Sequence, residues 1–165
     1  MNNSKLNKIE KEWKKCKKSV TLASLGASAG PVNKNNLRYW ESIISGPNDT
    51  PYEGGIFTLT INFPNNYPDY APEIRVKKID NIIPIFHPNI NTIDGTICLS
   101  ILNGDWTKDS TIENCITSII GLLADYNNDE AASRGWDQEP RELYLKNKNL
   151  FYEKAKEYTE KYGDI

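Results

Sequence analysis

Histidine is almost absent from this chain: His87 stands alone, and the three cysteines, Cys16, Cys98 and Cys115, lie far apart. An odd, scattered cysteine set makes neither a disulfide framework nor a CxxC signature, and one histidine adds little ligand capacity. No metal is expected. Long apolar runs are also missing; none approaches the roughly 20 residues that cross a bilayer, and the lysine-rich start has no apolar core behind it, so it does not read as a secretory signal. The expectation is a soluble intracellular protein, cytoplasmic or nuclear, with no membrane partner. A formal net charge of -2 offers no general attraction for nucleic acid. There is no internal repeat and no low-complexity segment. What is present is globular: hydrophobic residues make up 38% of the chain and tyrosines number nine, unlike the aromatic-poor composition of disordered chains. At 165 residues the chain suits one core, so 1–165 is read as a single domain.

From Ser4 to Lys18, Leu6, Ile9, Trp13 and Cys16 recur at spacings of three and four, with Val20 beyond, describing an amphipathic helix with a narrow apolar stripe. Its other faces are lysine, either a solvated surface or a docking surface for an acidic partner. The middle changes period. Leu37 to Ile44, Ile56 to Phe63 and Ile74 to Ile79 read as strands, the second alternating Phe57, Leu59, Ile61 and Phe63 with Thr58, Thr60 and Asn62. Turn material such as "SGPNDTPYEGG" and "PNNYPDYAPE" separates them, and seven of the nine prolines fall between Pro47 and Pro88. An antiparallel meander with stiff connections is expected. From Ser110 the period is helical again, with Ile112, Cys115, Ile116, Ile119, Ile120 and Leu123 on one broad face and Ser110 or Thr111 as cap. A polar loop, "ADYNNDEAASRGWDQEP", leads to a final charged helix from Pro140 or Asn147 to Tyr162. Helix, strands, irregular segment, then helices make an α+β domain.

Cys16 and Cys115 lie on apolar helical stripes, where a free cysteine behaves as a small buried hydrophobe. Cys98 differs. In "DGTICLSIL" the residues Ile97, Leu99 and Ile101 alternate with Thr96, Cys98 and Ser100, so burying the aliphatics turns the thiol outward, and Asp94-Gly95 supplies a turn just before it. A thiolate nucleophile needs a base or an ionising environment, and His87 is the one histidine available. Against a dyad, His87 sits before a proline in a local turn and precedes the cysteine in the chain. Asn89 offers an amide N–H for an oxyanion forming beside the thiol. Two readings stand on the residues alone: thiol-based acyl chemistry, and a structural turn.

"YWESIISGPNDTPYEGGIFTLTINFPNNYP", "FHPNI", "DGTICLSIL", Trp106 eight residues past Cys98, and "EKAKEYTEKYG" together resemble the ubiquitin-conjugating enzymes, in that order and over nearly the whole chain. The resemblance implies that family's fold: an amino-terminal helix, a four-stranded antiparallel meander, a central helix and two carboxy-terminal helices. It implies that Cys98 accepts ubiquitin as a thioester from an activating enzyme and that a substrate lysine, usually aided by a ligase, attacks it. The family's His-Pro-Asn triplet falls on His87, Pro88 and Asn89, with Asn89 serving the oxyanion and His87 and Pro88 structural. An acidic residue after the central helix, at Asp129 or Glu130, is implied to aid lysine deprotonation. No cofactor is implied on this chain, since ATP and Mg serve the activating enzyme, and the chain is expected to act as a monomer.

Several stretches depart from the family pattern. Thr107, Lys108 and Asp109 after Trp106, and Asp69-Tyr70 after Tyr67-Pro68, occupy the loops that face ligases in the family, and charge there weakens apolar docking. One extra residue separates His87 from Cys98, and the link "KKIDNIIPIF" is long. "SAGPV", Ser28 to Val32, resembles relatives whose serine meets a second ubiquitin behind the sheet; its simpler reading is an ordinary turn before the next strand. Ser100, where many ubiquitin enzymes have aspartate, and the lysine-rich helix lean toward another modifier of the SUMO or NEDD8 type, while the pI of about 5.5 leans back to ubiquitin. A non-catalytic scaffold that only binds ubiquitin is a third reading, disfavoured by Cys98 itself.

Overall fold

Helical spacing at the start of the chain becomes helix α1 (Asn3–Lys18), in a computed structural model that describes residues 3–163. Ile9 and Cys16 are buried and Trp13 half-buried, while Lys11, Lys14, Lys15, Lys17 and Lys18 are exposed. Val20 does not extend the stripe, because Ser19 leaves the helical conformation and caps a second short helix, α2 (Val20–Ser24), through Leu22 N–H at 3.0 Å. Val20 is thereby left 81% exposed.

Four strands follow, β1 (Ser28–Asn33), β2 (Asn36–Ser45), β3 (Ile56–Asn62) and β4 (Glu73–Val76), paired antiparallel in sequence order. The stretch Ser28 to Val32 is therefore strand and not turn, with Ser28 opposite Ile43 and Pro31 opposite Trp40. Its edge position tolerates Pro31, which has no amide to donate. The alternation in β3 holds: Phe57, Leu59 and Ile61 are buried, while Thr58 and Thr60 are half-buried on the outer face. β4 ends at Val76, three residues before the expected Ile79. There the chain reverses through Asp80 and Asn81, both in the left-handed region (φ 48° and 66°), and Ile79 pairs back with Ile82. Short polar side chains adopt that conformation most readily among non-glycines.

The inner sheet face, with Trp40, Ile44 and Leu59 fully buried, shares one core with α3 (Ile112–Ala124), whose six predicted apolar positions are all buried. Thr111 caps α3, accepting from Asn114 N–H at 3.1 Å. Each such isoleucine or leucine contributes about 1.5–3 kcal/mol by leaving water. The polar stretch after α3 is not all loop. It contains α4 (Asp129–Ser133), capped by Asn128, and it is followed by α5 (Glu139–Lys146) and α6 (Lys148–Tyr162), so the single charged helix is two helices meeting at Asn147. Phe151 and Ala155 bury α6 in the core. The β2–β3 connection also bears on the site: Tyr52, fully buried, donates its hydroxyl hydrogen bond to Phe86 O at 2.8 Å, immediately before His87. No described helix is long and apolar enough to cross a membrane.

Candidate functional site

The expected alternation holds at Ile97 and Cys98 but not beyond, where Leu99 and Ile101 are half-buried and Ser100–Leu102 forms a 3-10 turn. Ile97 is buried and bridges to Ile90, Cys98 is half-exposed, and its N–H donates to Asn89 O at 2.8 Å. The chain just before it lies along the free edge of β4. Thr96 bridges to Arg75, and Val76 N–H donates to Gly95 O at 2.9 Å. Gly95 has φ 75°, and a Cβ there would stand 2.3 Å from Val76 O, so this contact requires glycine. Residues 91–96 close on themselves: Asn91 Oδ1 accepts from Ile93 and Asp94, and Asp94 Oδ1 accepts from Thr96 N–H at 2.9 Å. The bonds from Thr96, backbone and side chain, hold the Asp94 carboxyl below its usual range. Ile93 is 77% exposed at the tip of this outward turn, and the Ile90–Ile97 bridge closes its base.

His87 and Asn89 are buried in the facing loop, at 2% and 3% exposure. His87 Nδ1 accepts from Asn89 N–H at 2.9 Å, so the neutral ring carries its proton on Nε2. Burial drives the His87 pKa down to about 4, a drop that the Leu122 backbone partly offsets. No hydrogen bond joins either ring nitrogen to Cys98 among the described residues: Nδ1 is taken by Asn89 N–H, and the thiol's contact is with Arg134 O. The Asn89 side chain donates to Ala131 O in α4 at 2.8 Å, and the Cys98 thiol lies 3.8 Å from Arg134 O just after that helix.

The strip from Ala131 to Gln138 thus lies alongside residues 87–92. Trp136 N–H donates to Pro88 O at 3.2 Å, and Gly135 passes so close that a Cβ would meet Pro88 O at 2.3 Å. Gln138 bridges Ile90 O and Thr92 N–H. Ala131, Arg134 and Trp136 carry no signal in the sequence, because their backbone atoms make the contacts.

Asp129 and Glu130 open α4 but face different partners. Asp129 accepts from Lys148 Nζ and Tyr144 Oη, both at 2.7 Å; the Lys148 bond and then the Tyr144 bond hold its carboxyl below the usual range. Glu130 pairs with Arg134, four residues on, in an exposed contact. Away from the thiol, Trp106 Nε1 donates to Pro68 O at 2.8 Å, which brings Asp69 and the 63% exposed Tyr70 beside the turn of Thr107, Lys108 and Asp109. That turn closes through Ser110 Oγ, which accepts from Thr107 N–H at 3.0 Å. Ser28 is exposed on the edge strand, opposite the 40% exposed Ile43. No group of three or more His, Cys, Asp or Glu is placed to hold a metal among the described residues. Cys16 and Cys115 lie in the core near Glu12, and burial pushes both thiols up to about 12.

A family model for the ubiquitin-conjugating enzymes matches residues 8–159. The chain is also similar to the solved E2 domain of a Toxoplasma gondii ubiquitin conjugating enzyme, at 33% identity and a TM-score of 0.79, over 95% of this chain and 97% of that one. A Plasmodium yoelii structure assigned as a ubiquitin conjugating enzyme is 32% identical with a TM-score of 0.81, over 97% of this chain and 96% of that one. The four-stranded meander and its helices are the fold of those enzymes. With the match running from α1 into α6, the chain belongs to the ubiquitin-conjugating enzyme family.

Proposed function

We propose that this protein accepts ubiquitin from its activating enzyme as a thioester on Cys98 and transfers it to a substrate lysine, with a ligase bringing the substrate. The observation that carries this reading is the half-exposed Cys98 thiol held by its own amide to Asn89, in a loop whose buried side chain is itself oriented. In the first step the Cys98 thiolate attacks the thioester carbonyl carbon on the activating enzyme, and that enzyme's cysteine leaves as thiolate. One thioester replaces another, so the exchange needs no cofactor on this chain; ATP and Mg are used upstream. In the second step a neutral lysine amine attacks the Cys98 thioester, forming a tetrahedral oxyanion that collapses with expulsion of the Cys98 thiolate and loss of the amine proton.

Asn89 supports the second step. An asparagine side chain has two N–H donors; Ala131 O takes one, which fixes the plane of the amide and leaves the other for the oxyanion. A donor oriented beforehand costs no reorganisation during reaction. His87, neutral and bonded within its own loop, holds the turn with Pro88 and takes no proton from the thiol. The exposed lysines of α1 are proposed to dock an acidic partner, and the paired loops at Asp69-Tyr70 and Thr107 to Asp109 to face the ligase.

A modifier panel tests the proposal. The protein is incubated with ubiquitin or another ubiquitin-like modifier, the matching activating enzyme and Mg-ATP, and reductant-sensitive adducts are resolved on gels. An adduct with ubiquitin, lost in Cys98→Ala, is expected; an adduct with a different modifier alone moves the assignment to that modifier. No adduct with any of them overturns the catalytic reading in favour of a binding scaffold.

A further inference from the structure

We infer that Gln138 is a positioning residue for aminolysis at Cys98, acting through the loop that carries Asn89. The inference rests on the proposed thioester chemistry and adds a residue to it.

Gln138 stands at the N-cap of α5 with extended backbone, where a side-chain acceptor ordinarily bonds a helix amide, yet it makes no such bond. Its amide is turned toward the catalytic loop instead. Nε2 donates to Ile90 O at 2.7 Å, with His87 O and Pro88 O farther off at 3.4 and 3.5 Å, and Oε1 accepts from Thr92 N–H at 3.0 Å. One planar group therefore satisfies a carbonyl and an N–H immediately beyond Asn89 while touching the carbonyls just before it. Only an amide of this length supplies donor and acceptor together: glutamate brings acceptors alone, and methionine matches the size with neither.

The placement of Asn89 has four supports: its side chain on Ala131 O, its N–H on His87 Nδ1, its carbonyl on Cys98 N–H, and the Gln138 bridge across Ile90 and Thr92. Cys98 shares the Asn89 bond and the Ile90–Ile97 bridge with that loop, and has further anchors of its own in the contacts of Gly95 and Thr96 with β4. Losing the Gln138 bridge loosens the oxyanion donor while leaving the nucleophile anchored. The extent of charging is an equilibrium between two thioesters and is insensitive to that donor; the rate of discharge to an amine is sensitive to it.

The test loads wild type, Gln138→Met and Gln138→Glu with the modifier that the panel identifies, stops the activating enzyme with EDTA, and follows discharge to free lysine on non-reducing gels. The same substitutions are made in an Asn89→Ala background. Charging to the wild-type extent is expected, with the maximal discharge rate lowered about 10- to 100-fold in Gln138→Met, the half-saturating lysine concentration unchanged, and a larger loss in Gln138→Glu. In Asn89→Ala, Gln138→Met is expected to have no further effect, because both act through one donor. A wild-type discharge rate in Gln138→Met, or a full additional loss in the Asn89→Ala background, overturns the inference even where the melting temperature falls. Two substitutions keep the result readable if one fails to fold. A wild-type chain that charges with no modifier overturns the catalytic reading and this inference together, whereas normal charging with discharge indifferent to residue 138 overturns this inference alone.

Discussion

The side chain of Asn89 donates to the Ala131 carbonyl at 2.8 Å, joining the loop of residues 87–92 to α4 across 42 positions of chain. Removing it takes away both the proposed oxyanion donor and this tie. Asn89→Ala is expected to charge to the wild-type extent and to discharge to lysine about 10²–10³-fold more slowly, the usual cost of losing an oxyanion donor. Single-turnover discharge measures it, and an unchanged rate would remove Asn89 from the mechanism.

The three cysteines differ in environment, and alkylation should read the difference directly. Burial raises the thiols of Cys16 and Cys115 to about 12, so almost none of either is thiolate near pH 8, whereas Cys98 is half-exposed. Iodoacetamide on the native protein should add one equivalent, located at Cys98 by peptide mass spectrometry. Labelling of Cys115 at a similar rate would contradict the buried position.

His87 makes stability depend on acid. Its pKa is about 4 when folded against 6.5 for an ordinary histidine, so between those values the unfolded chain binds the extra proton. Its stabilising contribution is complete above pH 6.5 and is lost as pH falls toward 4, at up to about 1.4 kcal/mol per pH unit. Urea unfolding of wild type and His87→Gln from pH 4 to 7.5 should show the wild-type curve falling more steeply in that window. Equal slopes would refute the assignment.

Asp129 and Glu130 are adjacent yet bound differently, and their substitutions should separate. Asp129 is committed to Tyr144 and Lys148, so Asp129→Ala is expected to loosen α4 from α5 and α6 and to lower the melting temperature. Glu130 has only an exposed pair with Arg134, weak enough to be released to an incoming lysine. Glu130→Gln is expected to slow lysine discharge by up to about 10²-fold with the fold intact. The reverse pattern would assign the proton-accepting role to Asp129.

Periodicity made the main elements legible. The spacing of Ile9, Trp13 and Cys16, the alternation through Phe57, Leu59 and Ile61, and the broad face of α3 appear in the structure because each is a local pattern whose burial is decided by its own repeat. The misses share a cause as well. Val20 fits the helical spacing, but Ser19 ends the helix first; β1, with Gly30 and Pro31, has no strand composition and becomes a strand by pairing with β2; and α4 is a single turn in a polar stretch, capped by Asn128 and held against the catalytic loop.

The sequence by itself determined that Cys98 turns outward, since Ile97 beside it must go in, and that Cys16 and Cys115 do not. It also carried the triplet of His87, Pro88 and Asn89 that marks the family. Only the tertiary structure decided what surrounds them: that His87 is spent on the amide of Asn89, that Asn89 is aimed by Ala131, and that Gln138, 40 residues past Cys98, holds the same loop. Side-chain direction follows from local alternation, whereas the Asn89 and Gln138 side chains end on backbone carbonyls of distant segments. A backbone carbonyl or amide is the same in every residue, so no choice of residue at Ala131 or Trp136 announces the contact before the chain has folded.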